Sequence, residues 1–66
     1  MKIKYQGNEE ETTATTVAAL LAEKGVNAKM AIVEYNGEIY GANSDLSRLA
    51  FTDGAELNVF NIVSGG

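Results

Sequence analysis

With 66 residues, nine acidic against five basic, and a net charge of -4, the chain is sized for one domain with one small core: a chain this short buries about 60% of the surface its unfolded form exposes, which leaves no second domain to enclose a deep cleft. It holds no cysteine and no histidine, which removes disulfides, thiolate and imidazole metal sites, cysteine nucleophiles and the commonest general base together. Lys2, Lys4, Lys24, Lys29 and Arg48 form no run able to follow a phosphate backbone, and no apolar segment approaches the ~20 residues that span a bilayer, so neither nucleic acid nor membrane is an expected partner and a cytoplasmic location is expected.

In chain order, Met1, Ile3 and Tyr5 alternate with Lys2 and Lys4, the period of a strand with one buried face. Gln6-Gly7-Asn8 supplies a glycine where a hairpin needs positive φ, and the polar segment EEETTAT after it suits a short edge strand. Thr16 is placed to accept from the free N–H groups that open a helix over VAALLAEKG, with Val17, Leu20, Leu21 and Lys24 on one face and Gly25 as its stop. MAIVEYNGEIY has β-branched and aromatic residues on both sides of Asn36-Gly37, the dipeptide best suited to a two-residue hairpin turn. In GANSDLSRLAFTDGA, Asp45 is expected to cap a short helical turn that carries Leu46, Leu49 and Phe51 inward, and Asp53-Gly54 to turn the chain into a last strand with Leu57 and Val59 facing the core. The order is strand, strand, helix, strand, short strand, strand. One helix covers one face of such a sheet, so an α+β fold is expected, a ubiquitin-like β-grasp with a mixed sheet packed on one main helix as a single domain over 1–66.

The Thr16-Val17 helix start with Leu20-Leu21, the hairpin VEYNGEIY, the Asp53-Gly54 turn and the closing LNVFNIVSGG, in this order and spacing, resemble the small sulfur carriers of the ThiS/MoaD family, most of all the ThiS branch that serves thiamin biosynthesis. After the hairpin, where many such carriers have Pro-Arg and then tryptophan, this chain has GANSDLSRL. The resemblance implies that the Gly66 carboxylate is the reactive group. A ThiF/MoeB-like adenylating enzyme uses ATP to convert it to an acyl adenylate, a sulfur donor such as a cysteine desulfurase leads to a thiocarboxylate, and a thiazole synthase or another sulfur-accepting synthase receives the sulfur. The carrier itself then binds no cofactor and catalyses nothing. An alternative pathway within the family is that of the molybdopterin synthase small subunit. An alternative of another class is a ubiquitin-like protein modifier, or a β-grasp interaction module with an inert end.

The residues bear on this chemistry in their own right. A terminus that threads a narrow channel must adopt extended or positive-φ conformations close to other backbone, which Gly65 and Gly66 permit; Ser64, Gly65 and Gly66 together are expected to form a flexible tail. A chain without cysteine has no thiol to bear a persulfide, which leaves the terminus or a bound group to carry sulfur.

Phe60 and Ile62 admit two readings. If Leu57 and Val59 point inward, strand parity puts Phe60 and Ile62 on the opposite face, where they would dock a partner; a bend or bulge would bury them instead. Glu9-Glu10-Glu11 reads as a solvated strand edge that discourages aggregation, with no metal site, because adjacent strand carboxylates point to opposite faces. Tyr35 and Tyr40 read as cross-strand packing beside the Asn36-Gly37 turn.

Overall fold

The computed structural model describes residues 1–61. Its strands are β1 (Lys2–Tyr5), β2 (Asn8–Glu11), β3 (Ala31–Tyr35), β4 (Glu38–Tyr40) and β5 (Glu56–Asn61). One α-helix (Val17–Glu23) follows β2, and 3-10 turns occupy Ala28–Met30 and Leu46–Arg48. The element order is the one expected from the sequence, apart from the Ala28–Met30 turn. The strands form a five-stranded sheet in the order β2-β1-β5-β3-β4. β5 pairs parallel with β1 and antiparallel with β3, and the two hairpins are antiparallel, so the sheet is mixed and its last strand sits in the middle. This is the ubiquitin-like β-grasp.

The helix is only seven residues long, too short to persist by propensity alone, so packing and caps hold it. Thr16 sits in extended backbone and its Oγ1 accepts from the Ala19 N–H at 3.1 Å. At the other end Gly25 adopts φ +71°, its N–H donates to Ala22 O at 3.2 Å, and the Val26 N–H donates to Leu21 O at 2.9 Å. This pair of bonds satisfies two carbonyls that a bare helix end would leave open. Val17, Leu20 and Leu21 are fully buried, against Ile3, Val33, Leu57 and Val59 from the sheet. Burial of each such aliphatic side chain is worth up to about 1.5–3 kcal/mol.

The long segment between β4 and β5 closes the core. Asp45 caps the Leu46–Arg48 turn by accepting from the Ser47 N–H at 3.1 Å, and Leu46 and Phe51 are buried while Leu49 packs at the margin. Backbone bonds from Val17 N–H to Leu49 O and from Phe51 N–H to Thr15 O, each 2.9 Å, lay this segment beside the entry to the helix. Thr12, a buried polar residue, has its Oγ1 satisfied by the Ala14 N–H at 3.0 Å. Met1 departs from the expected alternation: Ile3 is buried and Tyr5 half-buried, whereas Met1 precedes β1, beyond the last paired position at Lys2, and remains 45% exposed.

Both hairpin turns take positive φ at two successive residues, +52° and +84° at Gln6-Gly7 and +49° and +87° at Asn36-Gly37. These mirror-image turns match the right-handed twist of the strands they join. The Asp53-Gly54 turn, with Gly54 at φ +85°, delivers the chain into β5.

Candidate functional site

The helix covers one face of the sheet and leaves the other open. Pairing places Glu11 opposite Lys2, Glu9 opposite Lys4 and Lys4 opposite Glu56 on that open face, so its β2-β1 half is charged. The β5-β3-β4 half differs. There Asn58 and Ile39 flank Glu34, and Phe60 lies opposite Ile32. Asn58 donates from Nδ2 to Glu34 Oε1 at 3.0 Å, a polar bridge beside apolar side chains that stay accessible: Ile39 is 63% exposed, Phe60 54% and Ile32 36%.

β5 runs from the charged half into this apolar end. Its register against β3 is continuous from Leu57 through Asn61, with no bulge, so Leu57 and Val59 face the helix and Phe60 faces out. Phe60 is thus exposed and not bent into the core. Ile62, Ser64, Gly65 and Gly66 lie outside the described residues.

Two side chains from the hairpin turns fasten β5. Asn36 donates its N–H to Glu56 O and accepts from the Glu56 N–H on Oδ1, both at 2.9 Å. Gln6 holds the other end: Nε2 donates to Val59 O at 2.9 Å and Oε1 accepts from the Val59 N–H at 2.8 Å.

The remaining polar groups serve the fold. Tyr35 donates its hydroxyl to Ala50 O at 2.7 Å and meets the Phe51 ring edge-on, with centroids 5.9 Å apart. The Tyr40 hydroxyl donates to Glu38 at 3.1 Å, and this bond, followed by desolvation and the carboxylate's charge, raises its pKa above the ordinary phenol value. The two tyrosines are not directly opposite, since Tyr35 faces Glu38 and Tyr40 faces Val33. The Glu9-Glu10-Glu11 run lies on the edge strand β2, with Glu10 turned to the Lys24 ammonium. Among the described residues, no three acidic side chains are grouped to hold a metal ion. A shallow depression of about 240 Å³ opens over β1, lined by Lys2, Lys4, Glu9, Asp53 and Glu56, with charges of both signs. Among the described residues no helix is long and apolar enough to cross a membrane.

A family model described as "ThiS family" matches residues 3–66, nearly the whole chain. The chain belongs to the ThiS family. This is the ThiS/MoaD family that the sequence resembles, with the ubiquitin-like fold described above. The crystal structure of a thiamine biosynthesis protein (ThiS) from Geobacter metallireducens superposes with a TM-score of 0.80 over 100% of both chains at 23% identity, which is a likeness of fold. A thiazole synthase from Paramagnetospirillum magneticum is 37% identical over 67 residues, covering 100% of this chain and 20% of that protein. This ThiS-family chain therefore spans 20% of the length of that curated relative.

Ile32 and Ile39 join Phe60 on the open face without having been singled out in the sequence. Alternation within Ala31–Tyr35 could have found Ile32, because Ile32 and Glu34 share a face once Val33 is assigned to the core. The Gln6 contact has no local signal, since its partner Val59 is distant in the chain.

Proposed function

We propose that this ThiS-family chain carries sulfur on the carboxylate of Gly66 for thiazole formation in thiamin biosynthesis, in the cytoplasm and as a substrate of other enzymes. The observation that carries this reading is the family match, which runs through Gly66. The name of the Paramagnetospirillum magneticum relative, thiazole synthase, supports a thiazole-forming enzyme as the recipient.

The chemistry needs a free carboxylate at Gly66 and a partner that binds ATP. A carboxylate oxygen attacks the α-phosphorus of ATP, pyrophosphate leaves, and a mixed anhydride with AMP results. A sulfur nucleophile at the sulfide oxidation level then attacks the acyl carbon. The C–S bond forms, the bond from acyl carbon to phosphate oxygen breaks, and AMP departs with the electron pair, leaving a thiocarboxylate. The chain's own contribution is recognition and delivery: β5 places Phe60 on the open face shortly before the segment that ends at Gly66, and Gly65 lets that segment pass where a Cβ would collide.

Intact-mass measurement after incubation with an adenylating enzyme, ATP and a sulfide source tests this. Replacement of one oxygen by sulfur at Gly66 is the expected result. An unchanged mass, or a ladder of larger lysine conjugates as a protein modifier would give, overturns it. Phe60→Ala is expected to weaken binding to the adenylating enzyme by about 1–3 kcal/mol, as removal of an interface aromatic does. Gly65→Ala should slow activation far more than one methyl group would at an open site.

A further inference from the structure

β1 stops too early to accompany β5 to its end. Its last residue, Tyr5, pairs with Leu57, while β5 continues to Asn61. Along this border Ala55, just before β5, and then the odd-numbered residues of β5 turn their backbone polar groups toward β1: Ala55 O accepts from the Lys4 N–H at 2.8 Å, and Leu57 O from the Gln6 N–H at 3.0 Å. The next rung belongs to Val59, and at that point the main chain of β1 has already turned away into its hairpin. The Gln6 side chain supplies the rung. A primary carboxamide offers a donor and an acceptor side by side, as an extended peptide does, and both engage Val59.

The residue doing this is poorly suited to its own backbone. Gln6 sits at φ +52°, in a turn position that favours Asn, Asp or Gly, and the equivalent position of the other hairpin is Asn36 at φ +49°. A non-glycine residue held in the left-handed region persists where surrounding contacts over-determine it. Asn, one methylene shorter, would suit the turn and lose the reach.

We propose that Gln6 is a positioning residue for delivery of the sulfur-bearing segment: by holding both backbone polar groups of Val59, it fixes the end of β5 that presents Phe60 to the adenylating enzyme. This rests on the carrier reading above. The clamp orders the end of β5 in the free protein, so the adenylating enzyme meets Phe60 already in place. Without it, ordering has to occur during binding, which lowers apparent affinity and leaves the saturated complex unchanged.

The test is ATP–pyrophosphate exchange by a ThiF/MoeB-type adenylating enzyme as a function of carrier concentration, with wild type, Gln6→Asn and Gln6→Gly. Both variants suit positive φ, so the hairpin survives the change. KM for the carrier should rise about fivefold to tenfold, on the scale of one or two lost hydrogen bonds, with kcat within about twofold. Amide hydrogen exchange at Val59 should accelerate in both variants while that at Val33 does not. Unchanged KM in both variants, with wild type activated normally, overturns the inference and leaves the carrier reading standing. A fall in kcat at unchanged KM also overturns it, because the residue would then act in the activation step. A wild-type chain that supports no exchange overturns the carrier reading itself, and this inference with it.

Discussion

The two hairpin turns are close copies in backbone and opposites in how their first residues are used. Gln6-Gly7 and Asn36-Gly37 share the same signs and nearly the same values of φ, and each grips β5, one near its end and one at its start. At Asn36, turn preference and contact agree: the side chain that tolerates positive φ is also the right length to accept from Glu56 next to the turn. At Gln6 they disagree, and the longer side chain is present because of where it reaches. A local pattern thus identifies a turn, while the residue occupying it can answer to a partner brought close by the fold.

The largest expected effects probe what the turns have in common. Gly7→Ala and Gly37→Ala should each destabilise the fold by about 1–2 kcal/mol, the cost of a left-handed L-residue. A Cβ at either glycine meets no atom within 4 Å, so no steric clash adds to the backbone cost. Urea unfolding should therefore give nearly equal values for the two variants. A difference above about 1 kcal/mol would break the geometric likeness of the turns.

Smaller effects separate the first residues. Asn36→Ala loses both turn tolerance and the bond from Glu56, and should cost about 1–2 kcal/mol. Gln6→Ala gives up no favourable turn preference, only the two bonds to Val59, and should cost about 0.5–1.5 kcal/mol. Gln6→Asn should fall within about 0.5 kcal/mol of wild type, because better turn chemistry offsets the lost contact. If Gln6→Asn is as damaging as Gln6→Ala, the turn at Gln6 is under no strain and the contrast with Asn36 disappears.

The same contrast marks what was legible in the amino-acid sequence. The capping and turn roles of Thr16, Gly25, Asn36-Gly37, Asp45 and Gly54 are each set within a few residues, and each residue stands in its expected role. Strand parity also carried from Leu57 and Val59 to the exposure of Phe60, because a regular strand without a bulge preserves it. The insertion of β5 between β1 and β3 was not legible, since pairing between strands far apart in sequence leaves no mark on either one. Ile32 escaped notice because Ile32 and Val33 are both apolar, and hydrophobicity alone does not say which of two neighbours faces the core. The Ala28–Met30 turn rests on bonds to Asn27 alone, from the Lys29 N–H to Oδ1 at 3.0 Å and from the Met30 N–H to the backbone O at 2.9 Å, and is too brief to create a periodicity.

The smallest expected effect concerns how each hairpin is tied by charge, and its sign follows from linkage. Lys24, at the end of the helix, donates to Glu10 on β2 and lies 4.8 Å from the centroid of the Tyr5 ring on β1, so one ammonium joins the helix to the first hairpin. The hydrogen bond to Glu10 is the main cause that raises the Lys24 pKa, desolvation opposes it, and the Glu10 charge adds to it. A raised folded pKa means the contribution is complete below the unfolded value and disappears as pH rises through the folded one, so the window opens above about pH 10.4. The second hairpin has its own alkaline element, the Tyr40 phenol bonded to Glu38, whose raised pKa gives the same sign of dependence above about pH 10. Glu10→Gln should flatten the alkaline fall in Tm by removing the first hairpin's share, Glu38→Gln by removing the second's, and the double variant should be the flattest. Both groups are exposed to solvent screening, so the changes in slope should be small beside the turn substitutions. Alkaline Tm profiles of Glu10→Gln and wild type that run parallel would show that Lys24 does not fasten the hairpin to the helix, and would leave Gln6 as the polar side chain that ties the β1–β2 turn to the rest of the sheet.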